Sequence, residues 1–198
     1  MRGKLYVVSG PSGVGKNTIL SRIVSTQPNV QYSVSATSRP MRPGEVEGIS
    51  YYFLDRPGFE RLIEQDELLE YAEYVGNYYG TPATPIRKAV GAGIDVVMDV
   101  DVVGALKIKK RVPDAVLIFL AASSLDVIRQ RLERRGDVRP DVMARRLERA
   151  RWEYSQACRY DYIVLNDEIA RATGEMLSIM TAEKCKTMER IHLIEEEL

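Results

Sequence analysis

The chain is poor in the residues that carry redox and metal chemistry. Among its 198 residues are two cysteines and one histidine, His192. Cys158 and Cys185 lie far apart and form no C-x-x-C, so they read as inert thiols rather than a disulfide or a metal site. Excess charge is also missing: 28 Lys and Arg balance 28 Asp and Glu, which argues against bulk attraction to nucleic acid or to a membrane surface. No apolar run approaches the length that spans a bilayer, and the N-terminus enters an apolar strand without a signal-peptide layout. Internal repeats and low-complexity linkers are absent as well. What is present is 45% hydrophobic content, enough for one sizeable core and a small inserted subdomain. The expectation is a soluble cytoplasmic enzyme.

The most informative stretch is Ser9-Gly10-Pro11-Ser12-Gly13-Val14-Gly15-Lys16-Asn17-Thr18. It follows the apolar run Leu5-Tyr6-Val7-Val8 and precedes the helical pattern Ile19, Leu20, Ile23, Val24. Strand, Gly-rich turn and helix, with Gly10-x-x-x-x-Gly15-Lys16 between them, make the phosphate-binding spacing. Glycines let successive N–H groups face one concavity, and the helix adds its positive end. Lys16 then reaches the outer phosphates of a nucleoside triphosphate. The usual residue after this lysine is Ser or Thr, whose hydroxyl holds Mg²⁺; here it is Asn17. Thr18 is turned about 100° away on a helix and cannot replace it. Asn17 could offer its amide oxygen, or Mg²⁺ could be held chiefly by phosphates and water, the reading preferred here.

The remaining pattern alternates. The first helix should stop near Gln27-Pro28-Asn29, and Tyr32 to Ser35 reads as a second strand. Residues 36–84 shift to Arg, Gly, Pro and Tyr, with strand-like pieces at Tyr51-Tyr52-Phe53 and Glu70 to Val75 and a short helix near Gly58 to Gln65. This reads as an inserted β-rich subdomain. Pro85 begins a helix, Ile94 to Asp99 a buried strand, and Val102 to Lys110 the next helix. Ala115 to Leu120 is a continuous apolar strand suited to a sheet covered on both faces. Ser123 or Ser124 caps a helix through Arg135, ended by Gly136. A charged helix runs from Arg139 to Ser155, Tyr162 to Leu165 is the last strand, and a helix closes the chain. Alternation of this kind predicts an α/β fold with a parallel, doubly wound sheet. Residues 1–35 and 85–198 form the expected core and 36–84 the insert. Trp152 is expected to anchor in the core, and Tyr160 and Tyr162 to pack on the sheet.

A second motif is Ser33-Val34-Ser35-Ala36-Thr37-Ser38-Arg39-Pro40-Met41-Arg42-Pro43-Gly44-Glu45. Two arginines stiffened by prolines make a cationic corner suited to a phosphate monoester; a solvated basic loop is the plain alternative. With Gly48-Ile49-Ser50-Tyr51-Tyr52-Phe53, Gly76-Asn77-Tyr78-Tyr79-Gly80-Thr81, Asp99-Val100-Asp101-Val102-Val103-Gly104 and Val164-Leu165-Asn166-Asp167, the chain resembles the guanylate kinases over roughly residues 3–180. It departs from their pattern at Ser38, at Val103 where glutamine is usual, and at Asn17.

The resemblance implies a P-loop nucleoside monophosphate kinase catalysing ATP + GMP ⇌ ADP + GDP, with dGMP as a further acceptor and Mg²⁺ accompanying ATP. A monoester phosphate, with its second pKa about 6, is already mostly deprotonated at neutral pH. No general base is therefore required, and no Ser-His-Asp constellation is present; alignment and charge neutralisation remain. The resemblance gives the loop 10–18, Arg131 and Asn166 to ATP. It gives Ser35, Arg39, Arg42, Tyr51, Glu70, Tyr79, Thr81 and Asp101 to GMP, Glu70 accepting from guanine N1–H and N2–H₂. Residues 129–146 look like the lid of these kinases, with Arg131, Arg135 and Arg146 closing over the transferring phosphoryl. Asp99 would hold Mg²⁺ through water, with a cap on the following helix as the plain alternative. Nucleoside monophosphate kinases of other specificity and non-catalytic guanylate-kinase-like interaction modules remain the alternatives, and oligomeric state is open between monomer and homodimer.

Overall fold

The computed structural model describes residues 2–134 and 140–195. They form two compact units, one holding Gly10–Gln27 and the described chain from Phe119 onward, the other Arg2–Ser9 and Pro28–Ile118.

In the second unit, β1 (Leu5–Ser9), β2 (Val30–Tyr32) and β7 (Asp95–Asp99) run parallel, Leu5 beside Val96 and Val30 beside Asp95. β1 is buried at all five positions, as a strand covered on both faces requires. Tyr32 is the last residue of β2, not the first as the sequence suggested. Ser33 N–H still donates to Val97 O at 2.9 Å, after which the chain leaves this sheet for another. β3 (Ala36–Thr37), β4 (Tyr52–Phe53), β5 (Leu68–Tyr74) and β6 (Asn77–Pro82) make a four-stranded sheet in the order β4-β3-β6-β5. Its own small core is Ala36, Phe59 and Leu68, with Tyr78 stacked on Phe59 at 5.3 Å. Phe59 comes from α2 (Arg56–Glu64), whose first turn is capped by Asp55 accepting from Gly58 N–H at 2.8 Å. α3 (Ala83–Gly91) starts two residues before Pro85, which therefore sits in its first turn, where its missing N–H is harmless. α4 (Val102–Arg111) follows β7.

The β5–β6 hairpin closes on Val75 and Gly76, with φ of 48° and 73°. A β-branched residue in the left-handed region is strained. Val75 is 79% exposed and gains little from packing in return. Val75→Asn, matching a turn that needs two positive φ values, is expected to stabilise the fold by about 1 kcal/mol, read as a higher denaturant midpoint at unchanged m-value.

β8 (Val116–Ala121) is divided between the two units, and it is buried throughout. The parallel sheet has the order β2-β7-β1-β8-β9. The other unit holds α1 (Lys16–Thr26), α5 (Leu125–Arg134), α6 (Pro140–Ser155), β9 (Tyr162–Leu165) and α7 (Ile169–Lys184), then the short α8 (Thr187–Arg190) and α9 (His192–Glu195). α5 buries Ile128 and Leu132, one turn apart. The expected stop at Gly136 lies outside the described residues. Tyr160 stands edge-on to Phe119 at 5.2 Å, against the sheet as expected. Trp152 does not anchor the core. α6 turns Leu147, Ala150 and Glu153 inward, leaving the indole 39% exposed beneath the Arg149 guanidinium at 4.2 Å. No helix among the described residues is long and apolar enough to cross a membrane.

Candidate active site

Two clusters of functional side chains form, one in each unit. The first is the loop between β1 and α1. A Cβ on Gly10 would stand 2.1 Å from Leu120 O, so only glycine lets the chain leave the strand here. Val14 N–H closes a turn on Pro11 O at 3.1 Å, and Ile19 N–H starts the helical ladder on Gly15 O at 3.3 Å. The first turn of α1 holds no acidic residue, leaving its positive end uncompensated. Lys16 Nζ reaches back across the loop and donates to Gly10 O at 2.8 Å. Asn17 and Thr18 are exposed in the same turn, and Ser12 is exposed in the loop.

Beside this loop, Arg131 of α5 donates from NH1 to Val14 O at 3.1 Å and from NH2 to Asn166 O at 2.6 Å. Asn166, just after β9, donates from Nδ2 to Val14 O at 2.8 Å. Arg131 and Asn166 are thus brought to the loop. Arg146 lies exposed on α6, and Arg135 falls outside the described residues. Tyr154, not singled out from sequence, fixes the end of β8: its hydroxyl accepts from Ala122 N–H and donates to Ala122 O.

The second cluster belongs to the four-stranded sheet. β5 and β6 pair Glu70 with Thr81 and Ala72 with Tyr79. Alternation along the strands then sets Glu70, Tyr79 and Thr81 on one face. Thr81 is fully buried and its hydroxyl donates to Glu70 Oε1 at 2.8 Å. Burial raises the Glu70 carboxyl above its ordinary range. The Thr81 hydroxyl opposes that shift, Asp101's charge adds to it, and Lys107 opposes it. Gly104 keeps this corner open: a Cβ there would stand 3.3 Å from both Glu70 Oε2 and Asp101 Oδ1.

Arg39 is buried, its guanidinium forked onto Glu45 at 3.0 and 2.7 Å and donating to Pro40 O at 2.6 Å. Glu45 also accepts from Arg42 N–H at 2.7 Å. The carboxyl of Glu45 is held below its usual range, first by the Arg39 hydrogen bonds and then by the Arg42 N–H. The Tyr51 ring lies beneath the Arg39 guanidinium at 5.6 Å and meets Tyr79 edge-on at 6.1 Å. Arg42 is exposed and Ser35 half-buried. Sequence reading quoted Glu45 in its motif but gave it no role; its spacing, three residues after Arg42 and one after Gly44, was the available signal.

Asp99 ends β7, and its Oδ1 accepts from the Tyr32 hydroxyl. It does not cap α4. Val100 N–H is still tied to Val8 O, so the helix starts later and Asp101 caps it, accepting from Gly104 N–H at 2.7 Å. No group of three or more Asp, Glu, His or Cys side chains among the described residues forms a metal cage. Asn17, exposed in the first turn of α1, carries an amide oxygen, a hard donor of the kind that suits a magnesium ion keeping most of its shell as phosphate oxygens and water.

Comparison with known proteins agrees across nearly the whole chain. The guanylate kinase family profile matches residues 2–183. A guanylate kinase of Thermus thermophilus is 48% identical over 184 residues, covering 93% of this chain and 83% of that one. One from Desulfitobacterium hafniense is 45% identical, covering 98% and 96%. The crystal structure of guanylate kinase from Anaplasma phagocytophilum superposes with a TM-score of 0.74 at 33% identity, covering 98% and 94% of the two chains.

Proposed function

Because the chain belongs to the guanylate kinase family, we propose that it transfers the γ-phosphoryl group of ATP to GMP or dGMP. A phosphate oxygen of the acceptor attacks the γ-phosphorus in line, a new P–O bond forms, and the bond to the β-phosphate oxygen breaks, releasing ADP. The attacking oxygen is already ionised near neutral pH, since the second pKa of a monoester is about 6. No residue has to remove a proton, and the work is alignment and cancellation of charge.

The loop's N–H groups and Lys16 hold the triphosphate. Arg39 and Arg42, with the phenols of Tyr51 and Tyr79, hold the acceptor phosphate. Glu45 keeps the Arg39 fork aimed, because a guanidinium bonded along one edge still presents the other. Arg135 and Arg146 close on the transferring group. Magnesium would supply neutralisation of the triphosphate's charge, with the Asn17 amide oxygen as a donor and the Asp99 carboxylate acting through water. The nucleotide substrates suit a cytoplasmic enzyme.

The observation that carries the base specificity is the Glu70 carboxylate, tied to Thr81 and facing the Asp101 side of an open corner. Guanine offers N1–H and N2–H₂ there, whereas adenine would turn a lone pair on the carboxylate. A site built to hydrogen-bond can reject such a mismatch by about 10⁴-fold. Phosphoryl transfer measured side by side with GMP, dGMP, AMP, UMP and dTMP is expected to favour GMP and dGMP. Preference for any of the other three would overturn the assignment.

A further inference from the structure

Arg131 resembles a lid arginine that touches the transferring phosphoryl group, yet each of its terminal nitrogens already donates to a backbone carbonyl. NH1 donates to Val14 O and NH2 to Asn166 O, while Asn166 Nδ2 donates to the same Val14 carbonyl. Three hydrogen bonds of 2.6 to 3.1 Å thus join Arg131, Asn166 and Val14 in a triangle, two of them ending on the Val14 carbonyl of the loop. In a planar trans peptide the C=O and the following N–H point opposite ways. With the Val14 carbonyl held on the side of Arg131 and Asn166, the Gly15 N–H is turned to the opposite side. This peptide needs holding, because the residue after it is a glycine at φ 97°, free to let the unit rotate. Gly15 must nonetheless be glycine for the triangle to close: a Cβ there would stand 2.6 Å from Asn166 Nδ2. Asn166 is 4% exposed, so the grip is shielded from competing water.

We infer that Arg131 and Asn166 are positioning residues, which aim the Gly15 N–H at the nucleotide's phosphates by gripping the Val14 carbonyl. The inference rests on the reading of this loop as the ATP site. It separates from a finger role by where the loss appears. A finger acts on the transition state and changes kcat; a loop clamp acts on every state in which phosphates are bound, including product.

The test is calorimetric binding of MgADP to the full chain carrying Asn166→Ala, Arg131→Lys or both. GMP binding and a thermal melt on the same samples report folding. The ammonium of lysine keeps the charge but cannot span two acceptors as the guanidinium does. Each single variant is expected to weaken MgADP by about tenfold and leave GMP affinity unchanged. The double variant should be weaker by less than the product of the single losses, because both act through one carbonyl. Unchanged MgADP affinity in Arg131→Lys with a lowered kcat would establish the finger role and overturn the clamp, as would multiplicative losses in the double variant. A parent protein that binds no MgADP would sink the reading of the loop itself, and the clamp with it. A parent that binds MgADP normally beside unaffected variants would sink the clamp alone.

Discussion

Lys16→Ala is expected to lower kcat by about 10³-fold or more while barely moving the melting temperature. Within Ser9 to Thr18 this is the sole cationic side chain. It stands on the first residue of α1 and bends back to Gly10 O at 2.8 Å, which carries its ammonium across the mouth of the loop. The backbone N–H groups supply partial charges to bound phosphates; a full charge is needed to offset the negative charge of the leaving diphosphate. The bond to Gly10 O is only part-buried, so its removal costs little folding energy. Steady-state turnover at saturating GMP, with a thermal melt of the same sample, checks both halves of the expectation. Near-normal turnover would remove Lys16 from the mechanism.

The loop was legible in the sequence because its spacing is a backbone requirement. Glycines at φ 148°, 88° and 97° stand at Gly10, Gly13 and Gly15, where few other residues would be tolerated. β8 was legible for a different reason: a strand buried on both faces needs an unbroken apolar run, and Val116 to Ala121 is one. β9 came out with the boundaries the sequence suggested. What failed to show was everything decided at long range. Tyr32 to Ser35 alternates like a strand, but Ser33 to Ser35 is the crossing between two sheets, and no local pattern marks where a chain leaves a sheet. Asn77 to Pro82 did not read as a strand because Gly80 interrupts it and Pro82 ends it; pairing with β5 makes it one. Trp152 was misjudged because one turn of register decides which face of α6 is inward. Asp99 was offered as a cap because the sequence does not tell how far β7 stays paired. The grip of Asn166 on Val14 joins residues 152 positions apart, and that of Arg131 joins residues 117 apart. Neither leaves a local trace, although the residues themselves were singled out.

Glu70→Gln is expected to reduce kcat/KM for GMP by about 10³-fold and to leave the KM for ATP near its starting value. Glutamine retains an oxygen for the Thr81 hydroxyl, which donates to Glu70 Oε1 at 2.8 Å. Its other terminal group is then an NH₂, a donor turned on one of guanine's own donors, so one of the two favourable bonds becomes a repulsion. Equal losses for both nucleotides would argue against base reading. The pH dependence follows from the same carboxyl. Burial first, then the charge of Asp101, raises its pKa above the ordinary 4.5. Only the ionised form accepts from N1–H and N2–H₂, so GMP affinity should start to fall, as pH drops, earlier than for an ordinary glutamate. The GMP phosphate also titrates, with a second pKa about 6, so the informative quantity is the ratio of parent to variant affinity. That ratio should shrink toward one as Glu70 takes up its proton. Stability runs the other way. A carboxyl whose pKa is raised by folding binds its proton more tightly in the folded state, so stability falls as pH rises from the unfolded pKa through the folded one. Above that window the charge of Glu70 is a standing cost to the fold. Glu70→Gln removes the cost, and a melt at neutral pH should show the variant slightly more stable than its parent even though it has lost GMP. A variant that loses both stability and GMP affinity would mean that Glu70 holds the sheet together rather than reads the base.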